Sequence, residues 1–246
     1  MIRRLVYDAL APWHRAHAIR RLRWLERRLP DPAVRFAVPF VFRGRGHFRV
    51  RIVQEPREIL ALYQIMCAER PRCLVEIGTA LGGTLYLWTQ AAADDALVVS
   101  IDLPGGPFGG GYPACREPLY RAFARAGQDL HLVRGDARDP ATVAHVGALL
   151  RGRPVDFLFI DADHTYDGVL ANVRLYGPRV RAGGAIAFHD ILPNPRDPRI
   201  EVHRLWDHLR RVADVTEWVF PNATGHAPGI GLLRVPAAGV RALLPR

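Results

Sequence analysis

Between Gln54 and Val235 the chain alternates short runs of consecutive apolar residues with longer stretches whose apolar positions recur at helical spacing. Apolar runs of five or six residues are characteristic of strands buried on both faces, and their alternation with helical segments is the mark of βαβ units. The runs at 73–77, 97–101, 130–134, 155–160 and 184–188 predict five parallel strands, with a helix over about 55–69 before the first and helices in the gaps. A helix over about 201–212 leads to two further runs, 215–220 and 229–235, which read as a closing antiparallel pair around the loop 222–228. The predicted fold is α/β: a doubly wound, Rossmann-like sheet of seven strands, the last antiparallel, with helices on both faces. In such a sheet a ligand binds at the carboxyl ends of the strands, where the strand order reverses.

The first fifty residues follow another pattern. Ile2, Leu5, Val6, Ala9, Leu10 and Trp13, then Ile19, Leu22, Leu25 and Leu29, recur at helical spacing with arginines between them, and Pro12 predicts a break. Pro30-Asp31-Pro32 reads as a linker, and the runs at 36–42 and 47–53 predict short strands. The expected division is a basic helical N-terminal extension with short strands over 1–53 and a catalytic-type α/β domain over 54–246.

Composition narrows the classes. With 246 residues, 49% of them hydrophobic, the chain can fill a core and is not disordered. The net charge of +10 is uneven: residues 1–51 hold 13 arginines against Asp8, Glu26 and Asp31, whereas the remainder holds 21 arginines against 21 acids. The neutral body therefore argues for a small-molecule substrate and against nucleic acid. The basic amphipathic start suggests packing or a homo-oligomer interface first, peripheral contact with an anionic membrane second, and nucleic acid third. No run approaches the ~18 apolar residues of a membrane span, and the start lacks the pattern of a secretory signal, so a cytoplasmic protein is expected. Cys67, Cys73 and Cys115 form no Cys-x-x-Cys pair and read as small buried hydrophobes. Every basic residue is arginine, so no lysine can act as a base.

Candidate chemistry begins at Val75-Glu76-Ile77-Gly78-Thr79-Ala80-Leu81-Gly82-Gly83-Thr84, an apolar strand turning through glycines into a helix. Such a turn lets a ligand approach the backbone at Gly78, Thr79 and Gly82. A carboxylate at the strand end, Glu76, would repel a phosphate but suits an ammonium or sulfonium group, the charge pattern of S-adenosylmethionine. Capping of a neighbouring helix is its structural alternative. Asp102 ends the second strand 24 residues after Gly78, where a carboxylate can accept hydrogen bonds from both hydroxyls of a ribose. The glycine-rich run 103–113 reads as a flap over cofactor or substrate, or as a surface loop. Gly135-Asp136-Ala137 follows the third strand, where Asp136 can accept from an adenine amino group or cap a helix.

Phe159-Ile160-Asp161-Ala162-Asp163-His164 ends the fourth strand and His189-Asp190 the fifth. Adjacent parallel strands bring these ends together. Asp161, His189 and Asp190 are candidate ligands for a divalent cation, magnesium or, given a histidine, manganese or iron. His164, with an ordinary pKa near ~6.5, is the candidate general base for a hydroxyl. The structural alternative makes Asp163 or Thr165 a cap for a helix through Tyr166 to Tyr176 and His189 a core histidine.

Taken in order, the Glu76–Gly83 turn, Asp102, Gly135-Asp136, Asp161-Ala162-Asp163-His164 and Gly183-Gly184 leading to His189-Asp190 resemble the class I S-adenosylmethionine-dependent methyltransferases. The resemblance covers about 54–233 and is strongest to the metal-dependent O-methyltransferases of cephalosporin biosynthesis and of macrolide and rhamnosyl sugars. It implies a cofactor cleft lined by Glu76, Gly78, Asp102 and Asp136, with Thr79, Gly82 and Ala137 in the same turns. It also implies a metal site at Asp161, His189 and Asp190, and His164 as base where related catechol methyltransferases use a lysine. The expected activity is methyl transfer to a hydroxyl of a sugar, glycosylated natural product or catechol-like molecule. A metal-dependent hydrolase and a noncatalytic, membrane-associated scaffold are the alternatives.

Overall fold

The computed structural model describes residues 10–108, 110–222 and 225–245. Its strands are β1 (Cys73–Ile77), β2 (Leu97–Asp102), β3 (Asp129–Arg134), β4 (Val155–Ile160), β5 (Val180–His189), β6 (Val215–Trp218) and β7 (Ile230–Arg234). They form one sheet in the order β3-β2-β1-β4-β5-β7-β6. The first five run parallel, and β7 lies antiparallel between β5 and β6. Strand order reverses between β1 and β4, which opens a crevice at their carboxyl ends.

Residues on alternate sides of each central strand enter two separate cores. Leu74, Val98, Phe157, Phe159, Ala185 and Ala187 face one layer. Val75, Ile77, Val99, Ile101, Leu158, Ile160, Ile186 and Phe188 face the other. This two-sided burial is why the strands read as unbroken apolar runs. The first layer holds α1 (Ala11–Arg28), α2 (Val38–Val41), α3 (Pro56–Glu69), α4 (Gly83–Ala91) and α5 (Glu117–Arg121); the second holds α6 (Pro140–Leu150), α7 (Tyr166–Tyr176) and α8 (Val202–Val212). Trp88 of α4 is fully buried and stands edge-on to Phe157, with ring centroids 5.0 Å apart.

The helix ends follow local chemistry. Pro56 and Pro140 begin their helices where no N–H is needed, the Asp139 side chain accepts from Ala141 N–H at 2.8 Å, and Thr165 caps α7 by accepting from Gly168 N–H at 3.1 Å. Thr165, then, is the cap of α7, and Asp163 in turn accepts from the Thr165 N–H and hydroxyl.

In the N-terminal region the two expected short strands do not form. Pro12 sits in the first turn of α1, where its missing N–H costs nothing, and the segment that the expected break would separate from it lies outside the described residues. The run at 36–42 is a 3-10 turn, Val34–Ala37, followed by α2, not a strand. Residues 47–53 also form no strand: Phe48, Val50 and Ile52 are buried in alternation, but pairing is limited to one bridge between Arg51 and Gly82. Alternation reports one-sided burial; a ladder needs a neighbouring strand, and this segment instead crosses the start of α4. Ala18, Leu22, Leu25, Val38, Phe48, Val50 and Ile52 share the core of α3 and α4. The expected positions 2, 5, 6 and 9 of the first helix lie outside the described residues.

Candidate active site

The carboxyl ends of β1, β2, β4 and β5, with the loops that follow them, surround a cavity of about 370 Å³. At the end of β1 the chain turns at Gly78 with φ +101°, and a Cβ there would lie 1.8 Å from the Asp161 carbonyl oxygen. No side chain fits. The close approach is held by two 2.8 Å bonds, Gly78 N–H to Ile101 carbonyl and Asp161 N–H to Ile77 carbonyl, which tie the ends of β2, β1 and β4 together.

Asp102 stands on the cavity wall with little exposure. Its Oδ2 accepts from the Ala80 N–H at 3.0 Å and its Oδ1 from the Gly111 N–H at 3.2 Å, so the glycine-rich segment folds back onto it. Burial pushes its carboxyl up to about 6, against the pull of these N–H groups. Asp136 and Ala137 also line the cavity. The Asp136 carboxylate accepts from the Arg138 N–H at 2.8 Å; burial raises its pKa, but Arg138 outweighs burial and holds it low.

Glu76, Thr79 and Gly82 are beneath the wall of the cavity and do not line it. Glu76 is fully buried in register with Ser100, whose hydroxyl donates to Oε2 at 2.8 Å, while Oε1 has no hydrogen-bond partner. Burial pushes its carboxyl up to about 8. Thr79 shares a hydrogen bond with the same serine, and Gly82 backs onto the Tyr120 ring. The reason is strand alternation: Ile77 reaches the cavity, so its neighbour Glu76 points to the opposite layer. Glu76, expected as a cofactor-cleft carboxylate or a helix cap, is thus buried under the Gly78 turn.

At the other end of the cavity β4 and β5 bring Asp161, His164, His189 and Asp190 together. The His164 Nδ1–H meets Asp190 Oδ2 at 2.9 Å, and His189 Nδ1 lies 3.2 Å from both Asp161 Oδ1 and Asp190 Oδ2. Asp161, His164 and Asp190 each offer a donor atom within 4.8 Å of the others. Burial opposes charging both histidines, but the two carboxylates outweigh it and raise both pKa values, that of His189 strongly. The carboxyls are held low in return, chiefly by His189 against their own burial.

The sequence pattern does not single out Gln54 or Asn172, and Phe108 reads only as part of the glycine-rich run 103–113. Gln54, just ahead of α3, donates its side-chain amide to Asp161 Oδ2. Asn172 lines the cavity from α7, almost wholly buried, with its Oδ1 unpartnered. A polar residue within the apolar set Val169, Leu170 and Val173 is a legible anomaly that could have singled it out. Phe108 stands edge-on to His164, centroids 4.8 Å apart, with the Arg199 guanidinium over its ring.

Residues 75–191 match the family model described as a methyltransferase domain. Several solved structures share the fold. An O-methyltransferase from Bacillus cereus in complex with SAH is 16% identical, covering 73% of this chain and 81% of its own, with TM-score 0.51. The O-methyltransferase TomG from Streptomyces achromogenes, solved with SAM, is 19% identical, covering 83% and 87%, with TM-score 0.51. Cofactor-bound Rv0187 from MTB is 22% identical, covering 75% and 82%, with TM-score 0.52. What these likenesses share with the chain is the fold, a seven-stranded Rossmann-like sheet of the kind found in methyltransferases. Among the described residues no helix is long and apolar enough to cross a membrane.

Proposed function

We propose that the protein methylates a hydroxyl of a small molecule, a sugar, glycosylated natural product or catechol-like acceptor, with assistance from a divalent cation, magnesium or manganese. The observation that carries this reading is that one cavity joins Asp102 and Asp136 at one end to the Asp161–His164–Asp190 cluster at the other. The shared fold of the O-methyltransferases from Bacillus cereus and Streptomyces achromogenes supports the hydroxyl acceptor.

The residues suit both groups. A buried carboxylate beside a glycine turn that nothing larger can occupy matches a ribose diol lying against backbone, and two carboxylates with imidazole nitrogens are a donor set for a hard or borderline divalent ion. S-Adenosylmethionine supplies an electrophilic methyl, taken by the acceptor oxygen as the carbon–sulfur bond breaks, and the cation supplies Lewis acidity toward that oxygen. Asp102 would hold the ribose, and Asp136 and Ala137 the adenine side. Asp161 and Asp190, with His189 beside them, would hold the cation. Asp190 orients His164 through Nδ1, which leaves Nε2 to take the hydroxyl's proton. Phe108 covers His164 and excludes water from that face. Alignment of oxygen, methyl and sulfur then accounts for much of the rate.

Calorimetric titration with S-adenosylmethionine, with and without magnesium or manganese, tests the reading, followed by methyl-transfer assays on sugar and phenol acceptors. Saturable binding and metal-dependent transfer are expected. Absence of binding, checked by equilibrium dialysis, would overturn it. A hydrolase built on the same Asp and His residues leaves Asp102 and the Gly78 turn without a task.

A further inference from the structure

The outward face of α1 takes no part in the active site. Ala18, Leu22 and Leu25 turn one side of this helix into the core, and Glu26 on that side pairs with Arg23 at 2.8 Å. The opposite side carries Trp13, Arg20, Trp24, Arg27 and Arg28, all exposed, with Trp13 at 52% and Trp24 at 41%. At 3.6 residues per turn, positions 13, 20, 24 and 27 fall in one narrow stripe, and the two indoles stand about 16 Å apart along it. Among the described residues, Arg20, Arg27 and Arg28 meet no carboxylate; Arg28 lies over the Trp24 ring, 4.3 Å from its centroid.

Two independent observations say what this face is for. First, among the described residues, six of the ten exposed large hydrophobics, Leu10, Trp13, Trp24, Val34, Phe40 and Val41, lie within residues 10–41, although most of the chain lies elsewhere. Second, the same stretch is strongly basic, with seven arginines against Glu26 and Asp31 within residues 10–41. Exposed indoles interleaved with guanidiniums on one side of a helix, with the other side anchored in a folded core, suit the boundary of an anionic bilayer: rings at the headgroup level, guanidiniums on lipid phosphates.

We infer that the outer face of α1, centred on Trp13 and Trp24 with Arg20, Arg27 and Arg28, docks the protein on the surface of an anionic phospholipid membrane. The partner is the lipid surface itself, and the contact is peripheral.

The full chain is mixed with vesicles of phosphatidylcholine alone and of phosphatidylcholine with about a third phosphatidylglycerol, and binding is read by flotation and tryptophan emission. At least tenfold stronger binding to the anionic vesicles is expected, with a blue shift. A Trp13→Ala/Trp24→Ala variant should lose the shift and most of the binding. Arg20→Glu/Arg27→Glu/Arg28→Glu should lose at least tenfold in binding while keeping the wild-type circular dichroism. No flotation, equal binding to both vesicles, or unchanged binding by both variants would overturn the inference. So would a tryptophan variant that converts a dimer to a monomer in light scattering, which makes the face a subunit contact, or displacement from vesicles by an equal charge of single-stranded RNA that binds the face more tightly.

Discussion

Glu76 gives a test of how the floor of the cleft is built. Its carboxyl is fully buried, receives one hydrogen bond from Ser100, and is pushed up to about 8 by burial, from an ordinary value of 4.5. A raised folded-state pKa means that the native protein holds a proton the unfolded chain has lost between these two values. Stability from this group is therefore full below pH 4.5 and falls as pH rises, by about 1.4 kcal/mol per unit, until Glu76 ionises near 8. Glu76→Gln keeps the shape and removes the titration. Between pH 5 and pH 8 the stability difference between wild type and variant should shift by about 4 kcal/mol in favour of glutamine, to order of magnitude. Urea unfolding followed by circular dichroism at four or five pH values measures this. Parallel stability curves for the two proteins would refute the reasoning, because they would mean that Glu76 is already ionised in the folded state.

Three further outcomes follow from the geometry. Asp102→Ala should weaken S-adenosylmethionine binding more than tenfold, about 1.4 kcal/mol or more; unchanged calorimetric affinity would remove Asp102 from the cofactor site. Gly78→Ala places a Cβ 1.8 Å from the Asp161 carbonyl in a backbone conformation at φ +101°, so it should cost several kcal/mol in thermal unfolding, and a wild-type melting curve would contradict the described turn. His164→Ala should lower turnover about 10² to 10⁴-fold and leave cofactor affinity within about twofold, and a fully active variant would end its assignment as base.

The sheet was legible because burial on both faces writes apolar runs at its central strands: β1 and β4 begin and end where the sequence predicts, at Cys73–Ile77 and Val155–Ile160. Asp102, Asp136, Asp161, His164, His189 and Asp190 were legible for a related reason, since each stands at the carboxyl end of a strand or just beyond, and the fold brings those ends to one cavity. What the sequence by itself determined is therefore the set of strand ends and the chemistry offered there. Tertiary structure alone decided which way each side chain turns and what covers it. Glu76 and Ile77 are neighbours in sequence, yet alternation sends one under the turn and the other into the cleft. Gln54 and Phe108 reach Asp161 and His164 from segments far away along the chain, a meeting that no local spacing encodes. The alternating run 47–53 lacks a partner strand for the same reason: periodicity records which side of a segment is buried, whereas pairing depends on what the rest of the chain has placed beside it.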